Sequence, residues 1–161
     1  MPESDINDLF IVEKMHRAEK TAGAARIKKV ALRRSAKSTE SAADPNERIG
    51  DEIYLGKEWL ARAGYDDQKL FALTMTGESM EPGLYAGDML IVNLADRQPS
   101  DGGIFVLAYE GTVLIRRLMR DAGSWWLCSD SSEQQRFPRK QYSNDQCSMI
   151  GRVIYKLSER I

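Results

Sequence analysis

Residues 76–88 read TGESMEPGLYAGD, and this stretch decides the fold. It follows an apolar run typical of a β-strand and leads into another, so Ser79 is expected on a turn between two strands. Gly77 and Pro82 flank the serine and redirect the chain. A rigid turn of this kind exposes a hydroxyl and can aim nearby backbone N–H groups, as an oxyanion hole requires. A serine on a turn is usually only a turn residue, so the turn by itself leaves both interpretations open.

Outward from this turn, apolar residues recur with the period of two that is typical of strands. Phe71, Leu73 and Met75 alternate with smaller or polar residues just before it. Further strands are predicted at close spacing, over 88–93, 103–109, 112–119, 124–129 and 148–157. Glu110 and Gly111 form a two-residue hairpin turn between two of them. Many short strands separated by turn signals predict a mainly β fold, either a sandwich or a barrel.

The part of the chain before residue 49 has a different composition. Residues 5–34 carry apolar residues at helical spacing and predict a helical arm, although Gly23 weakens it. Residues 35–48 hold no large apolar residue and are rich in serine, alanine and charge, which is typical of a linker. The sequence therefore predicts a helical basic arm over 1–34, a linker over 35–48, and a β domain over 49–161. A short helix, 57–63, is predicted near the start of the β domain.

Charge is divided unevenly between these parts. The whole chain has a net charge of -1, but residues 1–40 hold 9 Lys and Arg against 6 Asp and Glu, and the remainder holds 14 against 18. Any electrostatic contact with DNA is therefore expected from the arm. The candidate phosphate-contacting residues are Arg26, Lys28, Lys29, Arg33 and Arg34. The alternative is a solvated basic face without a partner.

The absence of targeting signals and the few cysteine and histidine residues limit the expected compartment and cofactors. No signal peptide is expected, and no apolar run approaches the roughly 20 residues of a membrane span. We therefore expect a cytoplasmic protein with no membrane partner. Cys128 and Cys147 lack metal-ligand spacing and are expected as reduced thiols, so no metal and no other cofactor is predicted. His16, the only histidine, is interpreted as a surface residue.

An ordered set of motif residues resembles one known family. The motif residues are Gly77, Ser79, Met80, Pro82, Gly87 and Asp88, followed by an apolar strand. This order resembles the active-site serine motif of the LexA-like self-cleaving repressors, which include LexA, phage repressors of the lambda type and UmuD. In that family the serine attacks the protein's own backbone, and a lysine on a downstream hairpin strand acts as general base. The resemblance covers residues 49–157 and implies a LexA/UmuD-like β-rich domain with Ser79 as the nucleophile equivalent.

Two departures from the family pattern concern catalysis. The family's lysine stands in a Val-Lys-Arg-Leu segment, whereas residues 115–118 read IRRL, which places Arg116 at the base position, 37 residues after Ser79. A guanidinium stays protonated, so Arg116 can donate a hydrogen bond to the serine but cannot accept its proton. The family's scissile Ala-Gly or Cys-Gly pair is also absent from the corresponding window, residues 39–44. Autoproteolysis is therefore predicted to be lost, unless another base such as Lys156 replaces the lysine.

Three functions are consistent with this resemblance. The first is a phage- or prophage-type transcriptional regulator whose β domain dimerises and no longer cleaves itself. The second is a UmuD-like accessory protein that binds a polymerase or another repressor and has no DNA-binding domain of its own. Residues 1–34 are shorter than the helix-turn-helix domain of family repressors, which does not decide between these two. The third is an active self-cleaving serine peptidase.

Self-association is expected through the last predicted strand. Val153, Ile154 and Tyr155 form an apolar run in it. An apolar strand at an unpaired sheet edge tends to be covered by a partner, and the resemblance implies paired C-terminal domains. The sequence therefore predicts a homodimer through these three residues.

Overall fold

The computed structural model describes residues 10–12, 23–32 and 53–160. Within these ranges the chain forms ten strands, one α-helix and one short 3-10 helix. The strands are β1 (Phe10–Val12), β2 (Ala24–Leu32), β3 (Ile53–Gly56), β4 (Leu70–Thr74), β5 (Met89–Asn93), β6 (Ile104–Tyr109), β7 (Thr112–Asp121), β8 (Ser124–Cys128), β9 (Lys140–Gln141) and β10 (Cys147–Leu157). The α-helix, α1, spans Lys57–Ala63, and the 3-10 helix spans Asp67–Lys69. No helix within the described ranges is long and apolar enough to cross a membrane.

The strands form one mixed sheet in the order β1-β2-β4-β5-β10-β6-β7-β8-β9, and β3 pairs with β2 off this path. Strands β2 and β4 run parallel, whereas the other described pairs are antiparallel. The long strand β10 crosses between the two halves of the sheet because it pairs with both β5 and β6. The prediction of a mainly β fold is confirmed.

Apolar side chains cover both faces of the central strands. Along β4, Phe71 and Leu73 lie in one buried cluster, whereas Leu70 and Ala72 lie in another. We call the first the serine-side core: Val30, Phe71, Leu73, Met75, Met80, Leu84, Leu90, Val92, Val106, Ile115 and Ile150. We call the second the helix-side core: Ala25, Ile27, Leu60, Leu70, Ala72 and Ile91. Because both faces are covered, residues 70–73 of β4 are all apolar rather than alternating with polar residues.

The predicted hairpin turn and the predicted short helix are both confirmed. Between β6 and β7, Glu110 and Gly111 have φ angles of 47° and 80°. Positive φ at both central positions is the mark of the type I′ turn, whose twist matches that of the strands it joins. Helix α1 ends at Gly64, whose φ of 78° is the left-handed conformation that glycine adopts readily after a helix.

The predicted N-terminal helix is wrong for the described residues of 5–34. Phe10–Val12 and Ala24–Leu32 are strands that pair antiparallel with each other. Ile27 and Val30 lie three residues apart, which is helical spacing, yet they belong to cores on opposite faces of the sheet. Both residues are β-branched and fit a pleated surface, and pairing with distant strands favours the extended form.

Strand β2 also changes the predicted division of the chain. It pairs with β3 over Ala24 to Ile27, and with β4 at Lys28 and Lys29. Residues before the predicted boundary near 48 therefore belong to the same sheet as the rest of the β domain. The predicted linker over 35–48 lies outside the described residues, as do His16, Arg33 and Arg34.

The prediction that the last strand is unpaired is wrong, because each half of β10 pairs with a neighbouring strand on one side. Residues 147–152 of β10 pair with β6, and residues 152–157 pair with β5. The register with β6 ends at Arg152, so one backbone edge of residues 153–157 has no described strand beside it. Tyr155 and Leu157 in that segment are 45% and 41% exposed. The outer half of β10 therefore combines an open edge with exposed apolar side chains, whereas Cys147, Met149 and Ile150 in the first half are buried.

Candidate functional site

The serine turn, residues 75–88, leaves β4 and returns to β5 as a loop that is closed at its base. The Met75 N–H donates to the Asp88 carbonyl at 2.8 Å, and the Gly87 N–H donates to the Met75 carbonyl at 2.9 Å. Gly77 and Gly87 have φ angles of 78° and 94°, in the left-handed region that glycine adopts without steric cost. These two motif glycines therefore shape the loop.

Two apolar side chains fix the serine turn to the serine-side core. Met80 is fully buried, Leu84 is nearly so, and the Leu84 N–H donates to the Met80 carbonyl at 2.8 Å. The bond between Glu81 and Pro82 is a cis peptide bond. Because Met80 is anchored in the core, the neighbouring residue Ser79 is held in place, with only 6% of its surface exposed.

The buried side chain of Asp88 braces the serine turn from within. Its Oδ2 accepts a hydrogen bond from the Tyr85 N–H at 2.9 Å. Burial by itself raises the pKa of this carboxyl, but hydrogen bonds from Ser158 and Tyr85 and the charges of Lys156 and Arg160 bring the pKa below its ordinary value. The folded protein therefore favours the ionised form of Asp88.

The structure brings Ser79 and Arg116 together, although they are 37 residues apart in sequence. Nη1 of Arg116 donates to Oγ of Ser79 at 2.8 Å and to the carbonyl oxygen of Ile115 at 2.8 Å. The serine comes from the turn after β4, and the arginine comes from β7. The serine oxygen therefore accepts a hydrogen bond from a cationic group that has no lone pair to offer in return.

Arg116 is half-buried, and it forms no ion pair with a described acidic residue. Burial lowers the pKa of its guanidinium because desolvation penalises the charged form. The pKa of a guanidinium starts far above neutral pH, so Arg116 still carries its proton at neutral pH. Within the described residues, the site thus holds a positive charge that no neighbouring carboxylate balances.

The next residue, Arg117, forms a bidentate ion pair with Asp130. Its Nε donates to Oδ1 at 2.8 Å and its Nη2 donates to Oδ2 at 2.7 Å. Its Nη1 donates to the carbonyl of Gly102 at 2.6 Å. The hydrogen bond with Asp130 raises the pKa of Arg117. Arg117 therefore joins β7 to the loops that precede β6 and follow β8.

The loop after β8 also contacts the serine turn. The Ser131 N–H donates to the Ser79 carbonyl at 3.1 Å. A Cβ atom on Gly83 would lie 2.8 Å from Oδ2 of Asp130, so the turn packs against this carboxylate where only glycine fits. The Arg117–Asp130 pair therefore helps to position the serine.

A cleft of about 200 Å³ opens beside the serine. Residues 75–79 of the turn form one wall, residues 113–116 of β7 form the other, and Phe137 completes the lining. Glu78 lines the cleft, but its carboxylate pairs with Arg136 at 2.6 Å. The cleft is therefore mainly apolar, with the Arg116 guanidinium and the Ser79 hydroxyl inside it.

Comparison with known families now identifies this arrangement. The sequence matches the family model described as Peptidase S24-like over residues 26–154. The chain belongs to the Peptidase S24-like family. The resemblance to LexA-like proteins is thereby confirmed, and the family match takes in most of β2, which the sequence had assigned to a separate arm.

Two curated relatives of this Peptidase S24-like chain are named as a transcriptional regulator and a repressor. One is the HTH-type transcriptional regulator PrtR of Pseudomonas aeruginosa, 29% identical over 111 residues. Another is the LexA repressor of Streptomyces avermitilis, 31% identical over 98 residues. The alignments cover 66% and 59% of this chain, but only 43% and 38% of the two relatives. The chain thus spans less than half the length of the curated relatives it matches.

Lys156, the alternative base in this Peptidase S24-like domain, lies on β10 and has a different partner. Its Nζ donates to the carbonyl of Gly83 at 2.6 Å. Its charge also contributes to the lowered pKa of Asp88. Among the described contacts of Lys156 there is none with Ser79, so this lysine braces the serine turn.

Strand β2 separates the predicted phosphate-contacting residues. Lys28 is exposed and Lys29 is half-buried. Successive side chains of a strand point to opposite faces, so Arg26 and Lys28 share one face and Lys29 lies on the other. The described members therefore do not form the single helical face that was predicted.

The two cysteines are free, and burial raises the pKa of each thiol. Both therefore favour the protonated form, which is the less reactive one. In the part of the chain that the structure describes, no group of three His, Cys, Asp or Glu side chains could hold a metal ion.

Sequence reasoning missed the outer part of the site. Asp130 follows β8, and its pairing with Arg117 across the sheet has no local sequence signal. The sequence did not indicate a role for Arg136 or Phe137. Arg136, for example, pairs with Glu78, which lies 58 residues earlier in the chain. Contacts of this kind follow from the fold and are invisible to a local pattern.

Proposed function

We propose that this chain is a transcriptional regulator of the phage- or prophage-repressor kind whose Peptidase S24-like domain keeps its serine but does not cleave peptide bonds. The observation that carries the loss of cleavage is the 2.8 Å hydrogen bond that Arg116 donates to Ser79 Oγ. The regulatory part is supported by the kinship with two proteins named as a transcriptional regulator and a repressor.

The chemical argument concerns the serine proton. To attack a carbonyl carbon, Ser79 must pass its proton to a base, and a neutral lysine amine can accept it. A protonated guanidinium has only donors, so Arg116 holds the hydroxyl without activating it. Lys156 is bonded to Gly83 instead. Among the described side chains, neither Arg116 nor Lys156 can therefore accept the proton of Ser79, as a serine–lysine mechanism requires.

Incubation at alkaline pH tests this loss of cleavage. At about pH 10 a serine–lysine peptidase would hold its lysine neutral, because burial lowers the pKa of that lysine below its ordinary value, whereas Arg116 would keep its proton. We expect intact-protein mass spectrometry to show one unchanged mass for the parent chain and for the Ser79→Ala variant. Two complementary fragments that form in the parent and not in the variant would establish the active peptidase instead.

We also propose that the domain forms a homodimer through Val153, Ile154 and Tyr155. Support comes from the outer half of β10, whose edge towards β6 has no described partner beyond Arg152. Tyr155 is 45% exposed, and its ring packs against Trp59 with the centroids 5.7 Å apart. An apolar surface held in place beside an open strand edge is suited to pairing with a second copy.

An accessory protein of the UmuD kind is the second candidate. The dispersal of Arg26, Lys28 and Lys29 over two faces of β2 favours it, because a DNA-binding surface gathers its cations on one face. A gel-shift assay with the neighbouring promoter DNA, repeated at increasing salt, separates the two candidates. Binding that weakens steeply with salt supports the regulator. No binding at low salt supports the accessory protein.

A further inference from the structure

The cleft beside the serine holds a cation without a described counter-ion. Arg116 is half-buried and forms no ion pair with a described acid, and its Nη1 bonds are to neutral oxygens of Ser79 and Ile115. Glu78 is the acid that lines the cleft, and Arg136 neutralises it at 2.6 Å. A partly desolvated guanidinium in an apolar cleft attracts an anion, and a planar carboxylate fits its donors best.

One backbone edge of β7 is open along this cleft. Strand β6 pairs with residues 112–117 of β7, whereas β8 pairs only with residues 117–121. On the β8 side, residues 112–116 therefore have no described strand beside them, and residues 113–116 line the cleft. An extended peptide can add to such an edge through main-chain hydrogen bonds.

The same geometry limits how far an added strand could run. Cys128 of β8 pairs with Arg117, and the loop after β8 contacts the serine turn through the Ser131 N–H and the Ser79 carbonyl at 3.1 Å. An added strand must therefore end beside Arg116. If it runs parallel to β7, it ends there with its C-terminal carboxylate. If it runs antiparallel, it ends with an ammonium group, which the guanidinium repels.

We propose that this cleft binds the C-terminal carboxylate of an extended peptide lying parallel to β7, with Arg116 as the counter-ion. The proposal rests on the proposed function, because a site that does not cut can retain a peptide in the position of a cleavage product. Ser79 Oγ, already oriented by Arg116, supplies a further hydrogen-bond donor through its own hydrogen. Substitution of lysine by arginine thus turns a cutting site into a binding site.

Binding of peptide libraries to the intact chain tests this proposal. Three libraries of randomised pentapeptides attached through their N-termini are compared: one with free C-terminal carboxylates, one with C-terminal amides, and one with C-terminal amides and a glutamate fixed at the central position. We expect the labelled chain to bind the free-carboxylate library at least about ten-fold more strongly than either amidated library, since a bidentate guanidinium–carboxylate pair is lost in both.

Two variants locate the charge responsible. In Arg116→Met the ten-fold preference should vanish, because methionine keeps an apolar chain of similar reach and removes the cation. In Arg120→Met the preference should persist, since Arg120 lies on the same strand but over the Trp125 ring, 5.7 Å from its centroid. The comparison of libraries on the parent chain needs no variant, so it stands even if Arg116→Met does not fold.

Three outcomes would overturn the proposal: equal binding of the carboxylate and amide libraries, equal binding of the central-glutamate library, or a preference that survives Arg116→Met. Failure of the proposed function is recognised separately. If the protein does cleave peptides, mass spectrometry of the bound peptides would show shortened peptides. If only this inference fails, the peptides stay intact and show no preference for a free C-terminal carboxylate.

Discussion

At position 116 a guanidinium lies where a serine–lysine peptidase needs an amine that can lose its proton. Burial acts on either cation in the same direction, lowering its pKa. For lysine, a fall of a few units yields a neutral amine near physiological pH, whereas arginine starts too high for the same burial to deprotonate it. In the function proposed above, Arg116 therefore positions Ser79 without activating it, and the side chain at position 116 decides whether the serine can lose its proton.

The lowered pKa of Asp88 predicts a defined pH dependence of stability. Since the folded pKa is lowered, the stabilisation by the carboxylate is present above the unfolded pKa of about 3.9 and is lost as pH falls through the folded pKa. Asp88→Asn should cost about 1–2 kcal/mol in the free energy of unfolding at neutral pH. Urea unfolding should show this difference shrinking below about pH 4. A difference that stays constant or grows on acidification would refute the assignment.

The ion pair between Arg117 and Asp130 predicts a second effect at the residue scale. Arg117→Lys removes the bidentate geometry and the bond to the Gly102 carbonyl, so it should lower the free energy of unfolding by about 1–3 kcal/mol. The matched control is Arg139→Lys, whose partner Asp121 is 62% exposed. An exposed pair of this kind is worth less than about 1 kcal/mol. Equal losses in urea unfolding would contradict the positioning role of Arg117.

At the scale of elements, the close approach of β10 to β5 depends on a glycine. A Cβ atom on Gly151 would lie 2.6 Å from the backbone oxygen of Asn93, which cannot move without disturbing β5. Gly151→Ala should therefore cost about 1–3 kcal/mol by overpacking. Ser148→Ala on the same strand should change stability by less than about 0.5 kcal/mol. Thermal unfolding of both variants measures the contrast, and a neutral Gly151→Ala would show that the strands are less tightly packed.

The elements that the sequence predicted well are those with local signals. The hairpin at Glu110 and Gly111 needs only two residues with positive φ, and helix α1 needs only a short amphipathic run ended by Gly64. The sequence predicted a helix where β2 lies, because Ile27 and Val30 fit either a helix or a strand. The choice between the two depends on pairing with distant strands. Which strands pair with one another also depends on distant parts of the sequence. The position of β10 between β5 and β6 was therefore not predictable from local patterns.

In the candidate site, too, some residues could be predicted from the sequence and others could not. Ser79 and Arg116 could be placed from an ordered motif, because the resemblance supplies the long-range contact that local patterns lack. The partners that complete the cleft, Arg136 and Phe137, come from a loop whose sequence carries no motif. Their positions follow from the course of the chain after β8, which no periodicity encodes.

For the whole molecule, the outer half of β10 predicts a homodimer. One charged residue introduced into this surface should prevent the dimer from forming. We expect light scattering to give a dimer for the intact chain at tens of micromolar and a monomer for Tyr155→Glu, since a buried unpaired carboxylate opposes association. The intact chain is required because β2 belongs to the sheet, and a fragment starting after the predicted linker would lack it. A matched control is Tyr54→Glu, since Tyr54 is 37% exposed and lies on β3. A monomeric parent would contradict the dimer.

The most direct test of the central claim measures the reactivity of Ser79 itself, which requires no scissile bond within reach. The chain is exposed to a fluorophosphonate, and peptide-level mass spectrometry follows labelling of Ser79, with Ser79→Ala as the blank. We predict that Ser79 reacts no faster than surface serines, and that Arg116→Lys reacts about 100-fold faster because a neutral amine can then act as general base. Rapid labelling of Ser79 in the parent chain, rising with pH to a plateau as a base titrates, would contradict the account.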